Sequence, residues 1–243
     1  MTVLISMNRR KFKQTEIGMI PDDWEVKTIE EISVEIIDGD RGTNYPNGND
    51  FTNRGYCLFL NTKNVPNTKF DFTECMFITK DKDEILRKGK LNRKDIVLTT
   101  RGTVGNIAIY NETVPFENIR INSGMVIIRN LNTELITDFI YQELKSPLFK
   151  TQVLTSLSGT AQPQLPIRDL NKINLVIPTL PEQSFIAKIL SDLDSKIELN
   201  QQMNKTLEAI GQAIFKRWFI DFEFPNEKGK PYNSSGGERW RVN

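Results

Sequence analysis

Histidine is absent from this 243-residue chain, and cysteine occurs only at Cys57 and Cys75. Without histidine the usual zinc sites, the usual general base and any Cys-His or Ser-His-Asp arrangement are excluded, so catalysis would have to rest on carboxylates and lysines. Long apolar runs are missing as well. None approaches the length of a membrane span, and Val3-Leu4-Ile5 is too short for the core of a signal peptide. The expected setting is cytoplasmic, with no membrane contact. Net charge is also close to missing, at +1 from 32 basic and 31 acidic residues. That total decides nothing about partners, because a nucleic-acid binder can balance a basic face with acids elsewhere. Catalytic signatures are equally scarce: there is no Asp/Asn-Pro-Pro-aromatic motif, no glycine fingerprint for a cofactor, and no carboxylate pair with lysine for nuclease metal chemistry. Asp38, Asp40 and Asp50 could be assembled into a magnesium site, but acids sharing one loop are more often simply solvated.

What is present is organised around one stretch. Ile177-Pro178-Thr179-Leu180-Pro181-Glu182-Gln183 is punctuated by proline, and the chain then runs to Phe219 with neither proline nor a turn cluster. Proline fits the first turn of a helix and not its interior, so Pro181 marks the start of one unbroken helix, roughly 55 Å long at about 1.5 Å per residue. Its apolar residues Ile186, Leu190, Leu193 and Ile197 are spaced four, three and four, and the spacing resumes at Met203, Leu207, Ile210 and Ile214, ending on Trp218. This is a narrow coiled-coil seam with a phase shift around Asn200, Gln201 and Asn204. A partner helix must cover it, unless the segment is a long core helix of one globule.

Before that helix the pattern is α+β. Residues 1–14 mix apolar and basic side chains without periodicity and read as a loose lead-in. Glu16 to Trp24 is rich in turn residues, and its tryptophan is expected to pack on the first domain. A helical turn at Thr28 to Glu31 and a strand at Ser33 to Ile37 precede a long loop, Asp38 to Asp50. Short strand-like runs follow at Tyr56–Leu60, Cys75–Thr79, Asp95–Thr99, Asn106–Tyr110 and Met125–Arg129. Helices are predicted from Thr133 to Leu144 and from Pro147 to a glycine stop at Ser158-Gly159, then a rigid loop, Thr160 to Pro166, a helical turn near Asp169 and a strand at Asn174–Ile177. The resulting organisation is a globular domain over 15–178 with a small mixed β-sheet, a long helix over 179–220, and a polar tail over 221–243.

Lys88, Lys90, Arg93, Lys94 and Arg101 crowd one short stretch, which ends in Thr99-Thr100-Arg101-Gly102-Thr103-Val104-Gly105-Asn106. This turn puts an arginine, threonines and exposed N–H groups at one tip. It lacks the lysine-serine pair of a phosphate loop, and a structural hairpin accounts for it equally well.

Taken together, Glu16-Ile17-Gly18-Met19-Ile20-Pro21-Asp22-Asp23-Trp24, Arg101-Gly102-Thr103-Val104-Gly105-Asn106, Gly159-Thr160-Ala161-Gln162-Pro163-Gln164-Leu165 and the Ile177–Gln183 segment resemble the specificity subunit of type I restriction-modification systems. The resemblance implies a target recognition domain joined to a conserved spacer helix that forms an antiparallel coiled coil with a partner copy. Members usually carry two such domains and two helices, each domain reading half of a bipartite DNA site. This sequence has one of each, and Asn233 to Trp240 is similar to the segment that leads into the second domain, so a half-length, homodimeric form is expected. The implied partners are double-stranded DNA, methyltransferase subunits, a restriction subunit and a second copy of the chain. The chain itself would bind no cofactor, whereas the partner subunits would use S-adenosylmethionine, ATP and Mg. A homodimeric DNA-binding regulator without enzyme partners, and a small nuclease using the acidic loop, are the rival readings.

On this reading Arg41, Asn44, Tyr45, Lys63, Arg101 and Thr103 face DNA, with Arg93 and Lys94 nearer the phosphates. Ile186, Leu190, Leu193, Ile197, Met203, Leu207, Ile210, Ile214 and Trp218 form the dimerisation seam. Gln162 and Gln164 are expected to serve the junction, and no catalytic or metal-ligating residue is assigned.

Overall fold

The structure is a computed structural model that describes residues 10–159 and 163–237. Residues 1–9, Thr160 to Gln162 of the junction motif, and Glu238 to Trp240 of the tail motif lie outside the described residues. The chain divides into two compact units, Met1–Lys188 and Ile189–Asn243.

The first unit begins with β1 (Phe12–Thr15), β2 (Gly18–Pro21) and β3 (Glu25–Thr28), a 3₁₀ turn at Glu30–Ile32, and β4 (Val34–Asp38). It continues through β5 (Cys57–Leu60), β6 (Phe77–Ile78), α1 (Lys80–Ile85), β7 (Ile96–Thr99), β8 (Ile107–Ile109), β9 (Ile119–Ile121) and β10 (Met125–Asn130). Then come α2 (Thr137–Lys145), α3 (Pro147–Thr155), α4 (Ile167–Leu170), β11 (Asn174–Ile177) and the start of α5 (Leu180–Phe215). The architecture is α+β, but the expected mixed sheet is divided among small sheets. A four-stranded antiparallel sheet has the order β4-β10-β7-β8, and a three-stranded sheet, β6-β5-β9, holds the parallel β5-β9 pair. The segment over 12–14, read as loose, is instead a strand whose partner is β2.

Successive strand residues point to opposite faces, and here both faces are covered. Ile96 and Leu98 of β7 with Val126 and Ile128 of β10 join a core with Phe139, Leu144, Phe149 and Leu175. Val97, Met125 and Ile127 face the other way, into a core with Leu58, Leu60, Ile119 and Ile121. Two-sided burial is why Ile96-Val97-Leu98 and Met125-Val126-Ile127-Ile128 are unbroken apolar runs and not alternating ones.

The start of α5 is bound to this unit by the residues of its sequence signature. Gln183 is almost wholly buried; its side-chain oxygen accepts from the Ile136 N–H (3.0 Å), and its amide donates to the carbonyls of Pro178 (3.0 Å) and Glu134 (3.3 Å). Glu182 accepts from Arg10 (3.0 Å), from the Trp24 indole N–H (2.9 Å) and from the Thr179 hydroxyl (2.9 Å). Trp24 therefore meets the helix start through its polar edge. The Pro-Asp-Asp-Trp and Leu-Pro-Glu-Gln stretches, distant in sequence, form one joint because β3 pairs with β11.

The Arg10 hydrogen bond is the largest cause holding the Glu182 carboxyl down, to about 2 against an ordinary 4.5. A depressed folded-state value means the stabilisation is complete above pH 4.5 and is lost as the pH falls toward 2. Glu182→Gln is expected to cost about 1–2 kcal/mol at pH 7, the pair being partly exposed. Denaturant unfolding should show the gap between parent and variant narrowing at pH 3; a gap independent of pH would refute the assignment.

In the second unit α5 continues to Phe215 and ends in a π-helical turn, Lys216–Ile220. The tail that follows closes on itself: Phe224 stacks on Tyr232 at 4.7 Å, and the Ser234 N–H donates to Glu223.

Candidate nucleic-acid interface

The strand ends of the first unit bring several loops to one turn, Asn122-Ser123-Gly124. Thr100 and Arg101, just beyond β7, donate their backbone N–H groups to the Gly124 carbonyl (2.8 and 3.1 Å). At the end of β5 the Leu60 carbonyl accepts from the Asn122 N–H (3.0 Å), and just beyond it Thr62 packs so closely that a Cβ on Gly124 would lie 3.2 Å from its methyl group. The Arg41 guanidinium, past the end of β4, donates to the Ser123 carbonyl (3.2 Å) and pairs with Asp38. The Tyr45 hydroxyl accepts from the Ser123 N–H (3.4 Å), while its ring is held edge-on to Phe59.

Arg41, Tyr45 and Arg101 thus converge directly on this turn. Lys63 adjoins Thr62, Asn44 adjoins Tyr45, and Thr103 follows Gly102, whose added Cβ would sit 3.6 Å from the Thr62 hydroxyl. Asn44, Lys63 and Thr103 are exposed and Arg101 is half-exposed. None of the four side chains hydrogen-bonds to a described residue. Six of the eight expected DNA-facing residues therefore share one edge. Arg93 and Lys94 do not: they precede β7 whereas Arg101 follows it, so about 20 Å of extended chain intervenes. Arg93 lies over the Tyr110 ring and donates to the Asn111 carbonyl (2.7 Å) and Glu117, while Lys94 pairs with Asp138. These two stabilise the opposite end of the sheet. Gln164 contributes backbone at the edge, bridging Arg101 and Ser158.

Two groups not assigned to DNA contact from sequence shape this edge. The buried Asp40 accepts from the backbone N–H groups of Gly42 (2.9 Å) and Arg87 (2.7 Å), tying the loop after β4 to the loop after α1. Burial by itself would push its carboxyl up, but N–H donors of Gly42, Arg87, Lys88 and Arg41 together outweigh it and hold it below the ordinary range. The tie leaves the Arg87 guanidinium against Gly42, with Arg87 and Lys88 exposed and their backbone N–H groups on the same carboxylate as that of Arg41. Gly39 must lack a side chain here, since a Cβ would lie 2.3 Å from the Asn122 carbonyl oxygen. Beneath the loop, buried Arg120 donates to Asp83 (2.5 Å) and to the carbonyls of Lys88 (2.7 Å) and Leu86 (2.9 Å). The run of basic residues that begins at Lys88 was the available signal for Arg87; nothing local in sequence marks Asp40 as buried.

The acids a nuclease would need are used locally. Asp38 pairs with Arg41, Asp40 holds backbone N–H groups, and Asp50 caps the Asn47 N–H and pairs with Lys82. Among the described residues no cluster of three or more His, Cys, Asp or Glu could hold a metal ion. Burial raises the Cys57 thiol to about 12, which leaves it a packing residue and not a nucleophile. No helix among the described residues is long and apolar enough to cross a membrane.

The family model described as the type I restriction modification DNA specificity domain matches residues 21–209. The chain belongs to this family. It is 30% identical over 234 residues to the type I restriction enzyme MjaIX specificity subunit of Methanocaldococcus jannaschii, covering 90% of this chain and 49% of the relative. It is 32% identical over 205 residues to the HindI specificity subunit of Haemophilus influenzae, covering 83% and 42%. The specificity family's fold is also seen in the crystal structure of the type I restriction-modification S subunit from M. genitalium, with a TM-score of 0.57 at 18% identity over 82% of this chain and 46% of that one. The chain spans about half the length of the curated relatives it matches.

Proposed function

We propose that this chain is the DNA-recognition subunit of a type I restriction-modification complex and carries no catalytic group of its own. The observation that carries the reading is the edge at Asn122–Gly124, where cations, the Asn44 amide and the Thr103 hydroxyl from three loops stand exposed or half-exposed with side-chain hydrogen-bonding capacity to spare. Arginine reads guanine bidentately and asparagine reads adenine, and basic groups beside them neutralise phosphates. Arg41, Asn44, Lys63, Arg101 and Thr103 are the proposed readers. Arg87 and Lys88 replace Arg93 and Lys94 as the phosphate contacts.

In this reading methyltransferase subunits use S-adenosylmethionine to modify adenine, a restriction subunit uses ATP and Mg, and this chain directs both to their target in the cytoplasm. The seam of α5 pairs with a second copy about a two-fold axis. Two identical recognition domains then read identical half-sites in inverted orientation, separated by bases that are not read.

The test is co-expression with the methyltransferase subunit followed by mapping of methylated adenines. An inverted repeat with an unread spacer supports the reading, and an asymmetric site, or no sequence-dependent methylation, overturns it. Arg101→Ala should weaken specific binding by about 1–3 kcal/mol, or five- to 150-fold, whereas Lys228→Ala in the tail should leave it unchanged. Titration of a selected duplex at fixed salt checks this, and equal affinities for the two variants would remove Arg101 from the site.

A further inference from the structure

The segment after α1 is held along both edges of its main chain by buried charges of opposite sign. Arg120 donates to the carbonyls of Leu86 (2.9 Å) and Lys88 (2.7 Å). Asp40 accepts from the N–H of Arg87 (2.7 Å) and from that of Lys88. Gly89 continues the close packing: its carbonyl accepts from the Ile121 N–H (2.9 Å), and at φ +82° an added Cβ would lie 3.2 Å from the Gly39 Cα. Arg87 and Lys88 are therefore fixed through their backbones. Both side chains stay exposed, and among the described residues neither pairs with a carboxylate.

The carboxylate that takes these two N–H groups also takes those of Arg41 and Gly42, the latter at 2.9 Å. An ionised carboxylate has about four acceptor sites, and four N–H donors occupy them here. An amide in its place would offer one oxygen and turn an NH2 group toward N–H donors. Because dipoles and not a side-chain cation compensate Asp40, the Arg87 guanidinium and the Lys88 ammonium remain free for an outside anion such as a phosphate. Asp50 gives the comparison. It anchors the other end of the same loop, accepting from the Asn47 N–H (2.8 Å) and pairing with Lys82 (3.1 Å), and its partners include none of the three basic residues.

We propose that Asp40 is a positioning residue for DNA binding: through main-chain N–H groups it sets Arg41, Arg87 and Lys88 as one unit, so base reading and phosphate anchoring depend on the same carboxylate. This deepens the DNA-recognition reading above and rests on it. A carboxylate that only stabilised the fold would change the folded fraction and leave the number of phosphate contacts alone.

The experiment titrates the full chain with a selected duplex and a scrambled one across a salt series, with denaturant unfolding of each variant to give its folded fraction. Each phosphate contact contributes about 0.9 to the slope of log affinity against log salt, so Arg87→Ala combined with Lys88→Ala is expected to reduce the slope by about 1.8. Asp40→Asn is expected to reduce it by about 1–2 and to leave that double substitution almost no further effect. It should also cut the ratio of selected to scrambled affinity about fivefold or more, through Arg41. Asp50→Asn is expected to keep the parent's slope. Amide hydrogen exchange of the parent requires no variant: the Arg87 and Lys88 N–H groups should be protected although their side chains are exposed, and exchange at the rate of unstructured chain overturns the proposal. A parent-like slope in folded Asp40→Asn, an equal fall in Asp50→Asn, or a slope unmoved by the Arg87 and Lys88 substitutions overturns it too, while discrimination by the parent leaves the DNA reading standing. A parent that binds both duplexes equally overturns both.

Discussion

Replacing Leu193 and Leu207 together by aspartate is expected to break the proposed dimer, leaving a monomer, and to abolish sequence-directed methylation on co-expression with the methyltransferase subunit. Both leucines are more than half exposed in the single chain. Burying each stabilises a pair by about 1.5–3 kcal/mol, and every substitution occurs twice in a two-fold dimer, so the loss is about 6–12 kcal/mol, or at least roughly four decades of affinity. Aspartate adds the cost of desolvating a charge at each position. Because both residues belong to the second unit, unfolding of the first is expected to be unchanged. Sedimentation across a concentration range gives the answer, and a variant that sediments like the parent would show that the seam is not the contact.

Arg120→Met is expected to destabilise the recognition unit by about 3–5 kcal/mol, the usual result of removing one partner from a buried ion pair. Arg120 and Asp83 are both nearly inaccessible, with a single direct contact of 2.5 Å between guanidinium and carboxylate. Burial alone would push the Asp83 carboxyl up, but hydrogen bonds from Lys90 and Arg120 hold it down. Without Arg120, Lys90 alone faces the acid, and the carbonyls of Leu86 and Lys88 lose their donor. The loop that presents Arg87 should then loosen, so DNA affinity falls along with stability. Adding Asp83→Asn should restore part of the stability, since the uncompensated charge is gone; denaturant unfolding of both singles and the double measures that coupling. Strictly additive losses would mean the pair does not act as a unit.

How much of this was legible beforehand depends on the range of the interactions. Cys57-Leu58-Phe59-Leu60, Ile96–Thr99 and Met125–Asn130 were readable as strands because unbroken apolar runs mark strands buried on both faces. Ile119-Arg120-Ile121 was not, because a charged residue at the centre of three reads as surface; the acid that neutralises Arg120 lies 37 residues away. The strand Phe12–Thr15 was missed for a similar reason, since its short, mostly polar sequence Phe-Lys-Gln-Thr is ordered by pairing with Gly18–Pro21. At the interface, Arg41 and Arg101 were chosen by residue type and loop chemistry. Arg93 and Lys94 were chosen the same way, and the structure sets them at the other end of β7.

The long helix and its apolar seam followed from the sequence alone, since proline placement and alternating four- and three-residue spacing are local properties. The packing of Ile186 against its own domain, the commitment of Asp40 to backbone donors and the convergence of three loops on Asn122–Gly124 were decided only in the tertiary structure. Each depends on which strands pair and in what register, and those pairings join residues tens of positions apart through hydrogen bonds that no window of sequence contains.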